Sequence, residues 1–180
     1  MRLHITGGKF KGKKIKSINK IRPTMSKVRE AFFNICREKI EKAFFLDLFA
    51  GSGIMGLEAL SRGASYVVFV EKDIKVVRCI RENICSLQVE KFTDVIKEDI
   101  FVALQKIKMS FDIIYFDPPF KYYEDKNFLN KIIISLEKSF VLKKNSYIFF
   151  EAPKNVEIPY MIKDVKEKKY GGSSLFFLKK

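Results

Sequence analysis

The chain has 180 residues, with 35 Lys+Arg against 21 Asp+Glu and a formal charge of +14. That length fits one ordinary domain with a small appendage, and 47% hydrophobic residues exclude a disordered chain. Apolar runs such as 113–116 and 147–150 fall far short of the roughly 18 residues that span a bilayer. One histidine and three cysteines exclude a protein-bound zinc, a histidine triad and a disulfide framework.

Residues 3–18 alternate loosely around a Gly7-Gly8 turn and Gly12, which predicts a small β-hairpin outside the main domain. Residues 1–20 are therefore read as a basic hairpin extension and 21–180 as the main domain. Pro23 marks the entry to a helix that Thr24 or Ser26 caps. Its spacing puts Val28, Ala31, Phe32, Ile35 and Cys36 inside, with Lys27, Arg29, Glu30 and Arg37 facing out. From residue 43 strand and helix alternate: strands at 44–49, 66–70, 93–97, 111–116 and 147–151, and helices at 54–61, 74–87, 100–107 and 128–138. Two closing strands, 161–170 and 174–178, turn at Gly171-Gly172. The alternation predicts a parallel sheet covered on both faces, with an antiparallel hairpin at its end. The cysteines Cys36, Cys79 and Cys85 are read as small packed hydrophobes. No apolar signal segment opens the chain, which points to the cytosol.

The charge is segregated. Ten cations (Arg2, Lys9, Lys11, Lys13, Lys14, Lys16, Lys20, Arg22, Lys27 and Arg29) fall within residues 1–29, where there is no acid. Compositional bias accounts for many lysines but not for their separation from every carboxylate. Such a field attracts phosphate polyanions, so nucleic-acid contact is expected here.

Asp47-Leu48-Phe49-Ala50-Gly51-Ser52-Gly53 closes the first main strand, and Gly51-x-Gly53-x-x-Gly56 satisfies the dinucleotide fingerprint. Glu71 lies twenty residues after Gly51 at the end of the next strand, where an acid accepts from ribose hydroxyls. Together they indicate a nucleoside-containing cofactor without saying which. Asp47 beside the turn favours S-adenosylmethionine over NAD, because a carboxylate suits a cationic amino-acid group better than a pyrophosphate. Glu98-Asp99 is placed to meet an adenine amino group and also to cap the helix at Ile100.

Strand 111–116 runs into Asp117-Pro118-Pro119-Phe120. Two prolines end the strand and stiffen its exit. The acid and the aromatic flanking them suit methylation of an exocyclic amino group. Such a nitrogen is a poor nucleophile because its lone pair is delocalised into the ring. The Asp117 carboxylate and the Pro118 carbonyl can accept its two N–H groups and so aim the lone pair, while Phe120 stacks on the extruded base.

Through these motifs the chain resembles the bacterial RsmD family of class I, S-adenosylmethionine-dependent methyltransferases. The resemblance rests on Ile5-Thr6-Gly7-Gly8-Lys9-Phe10-Lys11-Gly12, on Arg22-Pro23-Thr24 with Val28-Arg29-Glu30-Ala31-Phe32-Phe33-Asn34, on residues 47–64, on Asp117–Phe120 and on Lys169-Tyr170-Gly171. It implies an α/β, Rossmann-like fold: a seven-stranded, mostly parallel sheet with an antiparallel last hairpin, plus an N-terminal β-hairpin that grips RNA. It implies methylation of guanine N2 in small-subunit (16S) ribosomal RNA, on an assembled or assembling 30S subunit. The implied cofactor is S-adenosyl-L-methionine, held by Phe49, Ala50, Gly51, Ser52, Gly53, Glu71, Asp99 and Ile100 with Asp47 in support. Asp117, Pro118, Pro119 and Phe120 would hold the target base. Lys9, Lys11, Lys13, Lys14, Arg22, Thr24 and Arg29 would meet nucleic acid. A monomer with neither metal nor membrane partner is expected.

Three rival readings remain. A DNA adenine-N6 methyltransferase uses the same kind of motif, but 180 residues leave no target-recognition domain. A NAD- or flavin-dependent oxidoreductase leaves residues 117–120 and the basic arm unexplained. A non-catalytic RNA-binding module has no need of the acids at 47, 71, 99 and 117.

Overall fold

The computed structural model describes residues 3–18, 26–159 and 162–180, with Ser26 described by its backbone alone. Arg22 and Thr24, two of the expected nucleic-acid contacts, lie outside the described residues. An antiparallel ribbon of β1 (Leu3–His4) and β2 (Lys14–Ile15) comes first, followed by α1 (Ser26–Ile35) and a short α2 (Arg37–Ile40). Then come β3 (Phe44–Leu48), α3 (Ile54–Ser61), β4 (Tyr66–Glu71), α4 (Ile74–Leu87), β5 (Thr93–Lys97) and α5 (Ile100–Lys106). The chain ends with β6 (Phe111–Phe116), α6 (Phe128–Glu137), β7 (Leu142–Pro153), β8 (Lys166–Tyr170) and β9 (Ser173–Lys179).

The main sheet has seven strands in the order β5-β4-β3-β6-β7-β9-β8, parallel from β5 to β7 and antiparallel through β9 and β8. Alternate residues of its central strands enter two cores. Phe45, Val67, Phe69, Ile113, Tyr115 and Phe149 pack under α1, α3 and α4, and Leu46, Leu48, Val68, Val70, Ile114, Phe116 and Phe150 pack against α5 and α6. Phe32 of α1 anchors the first core, with ring centroids 4.6–6.0 Å from those of Phe45, Tyr115 and Phe149. Helix α4 starts where Asp73 accepts the Lys75 N–H at 2.7 Å and stops at Gln88 in the left-handed conformation. Edge strand β8 is exposed along Lys166–Lys169, whose charges discourage pairing with another sheet edge.

Five expectations are corrected, the first being the strand expected over 161–170, which begins only at Lys166 after Asp164 in the left-handed conformation. The arm does not stand outside the main domain, because Leu3, Ile5 and Ile15 are buried in the same core as α1 and α3. Strand β7 starts at Leu142 rather than 147, through a register shift between Phe111 and Ile113 on its neighbour. Cys85 is exposed, unlike Cys36 and Cys79; burial pushes the Cys36 thiol up to about 12. Arg29 does not face out to meet nucleic acid. It is 2% exposed, with its Nε 2.8 Å from Oε2 of a fully buried Glu58. Among the described residues, no helix is long and apolar enough to cross a membrane.

Candidate active site

The register of the parallel strands assembles the site. Leu48 pairs with both Val70 and Phe116, so the residues that follow, Phe49, Glu71 and Asp117, emerge side by side. Glu71 in turn pairs with Lys97, which brings the Glu98-Asp99 turn to the same edge. The order reverses between β3 and β6, one leading away to β4 and the other to β7. A crevice therefore opens beyond the carboxyl ends of these strands, where ligands bind in open α/β sheets.

Three polar side chains pin the glycine loop. Glu71 Oε2 accepts the Gly51 N–H at 3.3 Å, while its Oε1 accepts those of Lys72 and Asp73 at 2.8 and 3.0 Å. Asp47 Oδ2 accepts the Gly56 N–H at 3.1 Å. Asn83 of α4 donates to the Ser52 carbonyl at 3.0 Å. Asp47 is 1% exposed, and burial pushes its carboxyl well above the ordinary range, with Glu71 pushing the same way. It braces the loop from beneath. Asn83 escaped the sequence reading, although an amide between Ile80 and Ile84 on the apolar stripe of α4 is a legible signal.

Gly53 (φ 76°) takes the position before α3 in the left-handed conformation, and a Cβ on Gly56 would sit 2.3 Å from the Phe69 ring. Both glycines thus make room for packing: the loop lies against Phe69 and Ile80, and the helix packs hard on β4. These features fit a nucleoside cofactor. Glu71 is half-buried at the lip, and Asp99 uses one carboxylate oxygen to accept the Phe101 N–H at 3.0 Å. The side chain of Ile100 is buried in the second core, so it meets a cofactor only through the backbone at the start of α5. Ala50 and Ser52 are buried and Phe49 half-buried.

Across the crevice, Asp117 is half-buried, Pro118 buried, Pro119 exposed and Phe120 half-buried at the start of a 3₁₀ turn, Phe120–Glu124. The Pro119 carbonyl accepts the Tyr122 N–H at 2.9 Å, which fixes the turn to the motif. Tyr122 meets Phe49 edge-on at 5.5 Å, and its hydroxyl accepts from Lys72 Nζ at 2.6 Å. The Phe120–Glu124 turn is thereby latched to both the glycine loop and the end of β4. Behind it, the Tyr115 hydroxyl donates to buried Glu151 and the Tyr123 hydroxyl donates to the Glu151 carbonyl, each at 2.6 Å. Burial, with the nearby charges of Asp117 and Glu151, pushes the Tyr123 phenol up, so it stays protonated. The sequence reading assigned no role to Tyr115, Tyr122, Tyr123 or Glu151.

On the arm, Lys9, Lys11, Lys13 and Lys14 are all exposed. Its turn is fastened to the end of α3, where Lys9 N–H meets the Ser61 carbonyl at 2.7 Å and Phe10 N–H meets Ser61 Oγ at 2.8 Å. Glu58 of α3 receives Arg29, Arg62 (2.7 Å) and the Thr6 hydroxyl.

A family model described as "conserved hypothetical protein 95" matches residues 3–179. The chain is 37% identical to ribosomal RNA small subunit methyltransferase D of Buchnera aphidicola (subsp. Baizongia pistaciae), over 83% of this chain and 75% of that one. It is 32% identical to the protein of the same name from Escherichia coli K12, over 83% and 74%. A solved Escherichia coli methyltransferase structure, yhhF, superposes with a TM-score of 0.87 at 30% identity, covering 99% of this chain and 98% of that one. A Thermus thermophilus 16S rRNA N2 G1207 methyltransferase, solved with AdoMet and guanosine, shares the fold at 20% identity and a TM-score of 0.75. With the glycine loop and the Asp117 motif facing each other across the crevice, these matches show that the chain belongs to the RsmD family of class I methyltransferases.

Proposed function

We propose that the protein transfers a methyl group from S-adenosylmethionine to the exocyclic N2 of a guanine in 16S ribosomal RNA, on an assembled or assembling small subunit. The observation that carries this reading is the register that puts Asp117 beside Phe49, so an amino-group acceptor faces the cofactor loop. Residues 1–20 serve as the RNA-gripping extension and 21–180 as the catalytic domain of a cytoplasmic monomer.

The glycine loop at 49–53, Glu71 and the start of α5 at Asp99 and Ile100 would hold the cofactor. When bound, it supplies a methyl group made electrophilic by its sulfonium. Asp117 and the Pro118 carbonyl accept the two N–H groups of the target amine, and Phe120 stacks on its ring. As the nitrogen gains positive charge in the transition state, the fixed Asp117 carboxylate stabilises it without reorganising. Tyr122 and Tyr123 hold the turn bearing these groups.

The test is methyl transfer from labelled S-adenosylmethionine to small subunits lacking guanine methylation, followed by digestion to nucleosides and mass spectrometry. N2-methylguanosine is expected, most strongly on the particle. Methyladenine formed on duplex DNA instead would overturn the substrate assignment.

Two variants probe the two halves. Glu71→Ala should raise the cofactor Kd by about tenfold to a hundredfold, the worth of one buried charge-assisted hydrogen bond at roughly 1.5–3 kcal/mol. Unchanged calorimetry would make Glu71 a loop brace only. Reversing Lys11, Lys13 and Lys14 to Glu should make the slope of log affinity against log salt shallower by about 2–3. An unaltered slope would move the RNA surface off the arm.

A further inference from the structure

Asn83 is 1% exposed and uses its whole amide. Its Oδ1 accepts the Lys16 N–H at 2.9 Å, and its Nδ2 donates to the Lys16 carbonyl at 3.0 Å and to the Ser52 carbonyl at 3.0 Å. The side chain thus pairs with both backbone groups of Lys16, much as a neighbouring strand would, and spends its second N–H on the glycine loop. Its orientation is fixed by this pattern, because only the oxygen can face the Lys16 N–H.

Both ends of the bridge matter. Lys16 directly follows β2, within five residues of Lys11, Lys13 and Lys14. The peptide joining Ser52 to Gly53 is held at its carbonyl by Asn83 and at its N–H by the Ala50 carbonyl, at 2.8 Å. On the same helix Ile80 lies against Gly53, 3.4 Å from where a Cβ would stand. One buried residue therefore spans the distance between the arm and the loop.

We infer that Asn83 is a positioning residue that sets the arm in register with the cofactor loop, so that RNA held by the arm meets the methyl group at the reactive distance. The inference rests on the proposed function, with RNA on the arm and the cofactor on the loop. Loosening the bridge leaves both binding surfaces in place but lets them shift relative to each other. A misplacement near 1 Å costs on the order of a hundredfold in rate.

The experiment is single-turnover methyl transfer at saturating cofactor and small subunits, expressed per cofactor-binding site counted by calorimetry. Asn83→Leu keeps the branched outline and removes every bond. Lys16→Pro removes the N–H and the charge on the exposed arm, and Lys16→Ala is its reference because it loses the same charge but keeps the N–H. Asn83→Leu against wild type, and Lys16→Pro against Lys16→Ala, should each be slower by roughly 10–100-fold, with cofactor Kd within about threefold. A residue that merely stabilises the fold would lower the number of competent sites and leave the rate per site alone. Rates per site within threefold, or a tenfold weaker cofactor, would overturn the inference. If Asn83→Leu does not fold, the Lys16 pair decides on its own. Failure of the wild type to methylate any RNA would instead sink the proposed function and take this inference with it.

Discussion

Asp117→Ala is expected to lower the methyl-transfer rate by about 10²–10³-fold while leaving cofactor affinity within about threefold. The carboxylate stands on the β6 side of the crevice, and the groups assigned to the cofactor stand on β3, β4 and α5. Its removal takes away the acceptor that aims the amine and answers its growing charge. Asp117→Asn should lose less, because its amide oxygen can still accept the N–H although the negative charge that answers the nitrogen's is gone. Asp117 is half-buried at a strand end, so thermal unfolding of each variant is expected to stay close to wild type. Single-turnover kinetics and calorimetry on the same preparations check this. A cofactor Kd that rises in parallel with the loss of rate would place Asp117 on the cofactor side and void its role as the amine acceptor.

The sheet and its ligand edge were legible because their signals are local. The run at Phe44–Leu48 is apolar on both faces except at Asp47, as befits a buried parallel strand, and it stops at Gly51 and Gly53. Asp73 and Asp99 both cap helices, since a short acid before an apolar-periodic run satisfies the first free N–H groups. What stayed hidden depends on partners far away in sequence. Nothing around Arg29 reveals that Glu58 waits on another helix, so a cation in a basic stretch reads as solvated. The extra length at the start of β7 holds Lys143-Lys144-Asn145, a polar segment inside the irregular register between the Phe111–Leu142 and Ile113–Tyr147 pairs. Asn83 sat in plain view on an apolar stripe, but its two targets, Lys16 and Ser52, lie 67 and 31 residues upstream in separate segments.

Glu58→Ala is expected to cost about 3–5 kcal/mol of stability, which for a chain of this size lowers Tm by on the order of 10 °C. Glu58 is fully buried and receives Arg29 at 2.8 Å, Arg62 at 2.7 Å and the Thr6 hydroxyl. The Arg29 Nε–H does not point along the line to its oxygen, so that contact is more Coulombic than a directed hydrogen bond. Removing the carboxylate leaves the Arg29 guanidinium buried beside the His4 carbonyl, which it meets at 3.0 Å, with no counter-charge. Arg62→Ala should cost much less, because Arg62 is partly exposed and water can replace it at Glu58. The double variant Arg29→Met with Glu58→Leu should recover much of the loss, since neither charge then remains to be desolvated. Thermal unfolding of the two single variants and the double measures this. A Glu58→Ala protein as stable as wild type would mean the three chain segments are not joined through this carboxylate. The same cycle carries a functional consequence. Thr6 belongs to the arm, Arg29 to α1 and Glu58 to the helix that begins at the cofactor loop. Cutting the network therefore frees the arm from that helix, and the double variant should regain stability before it regains full methyl transfer.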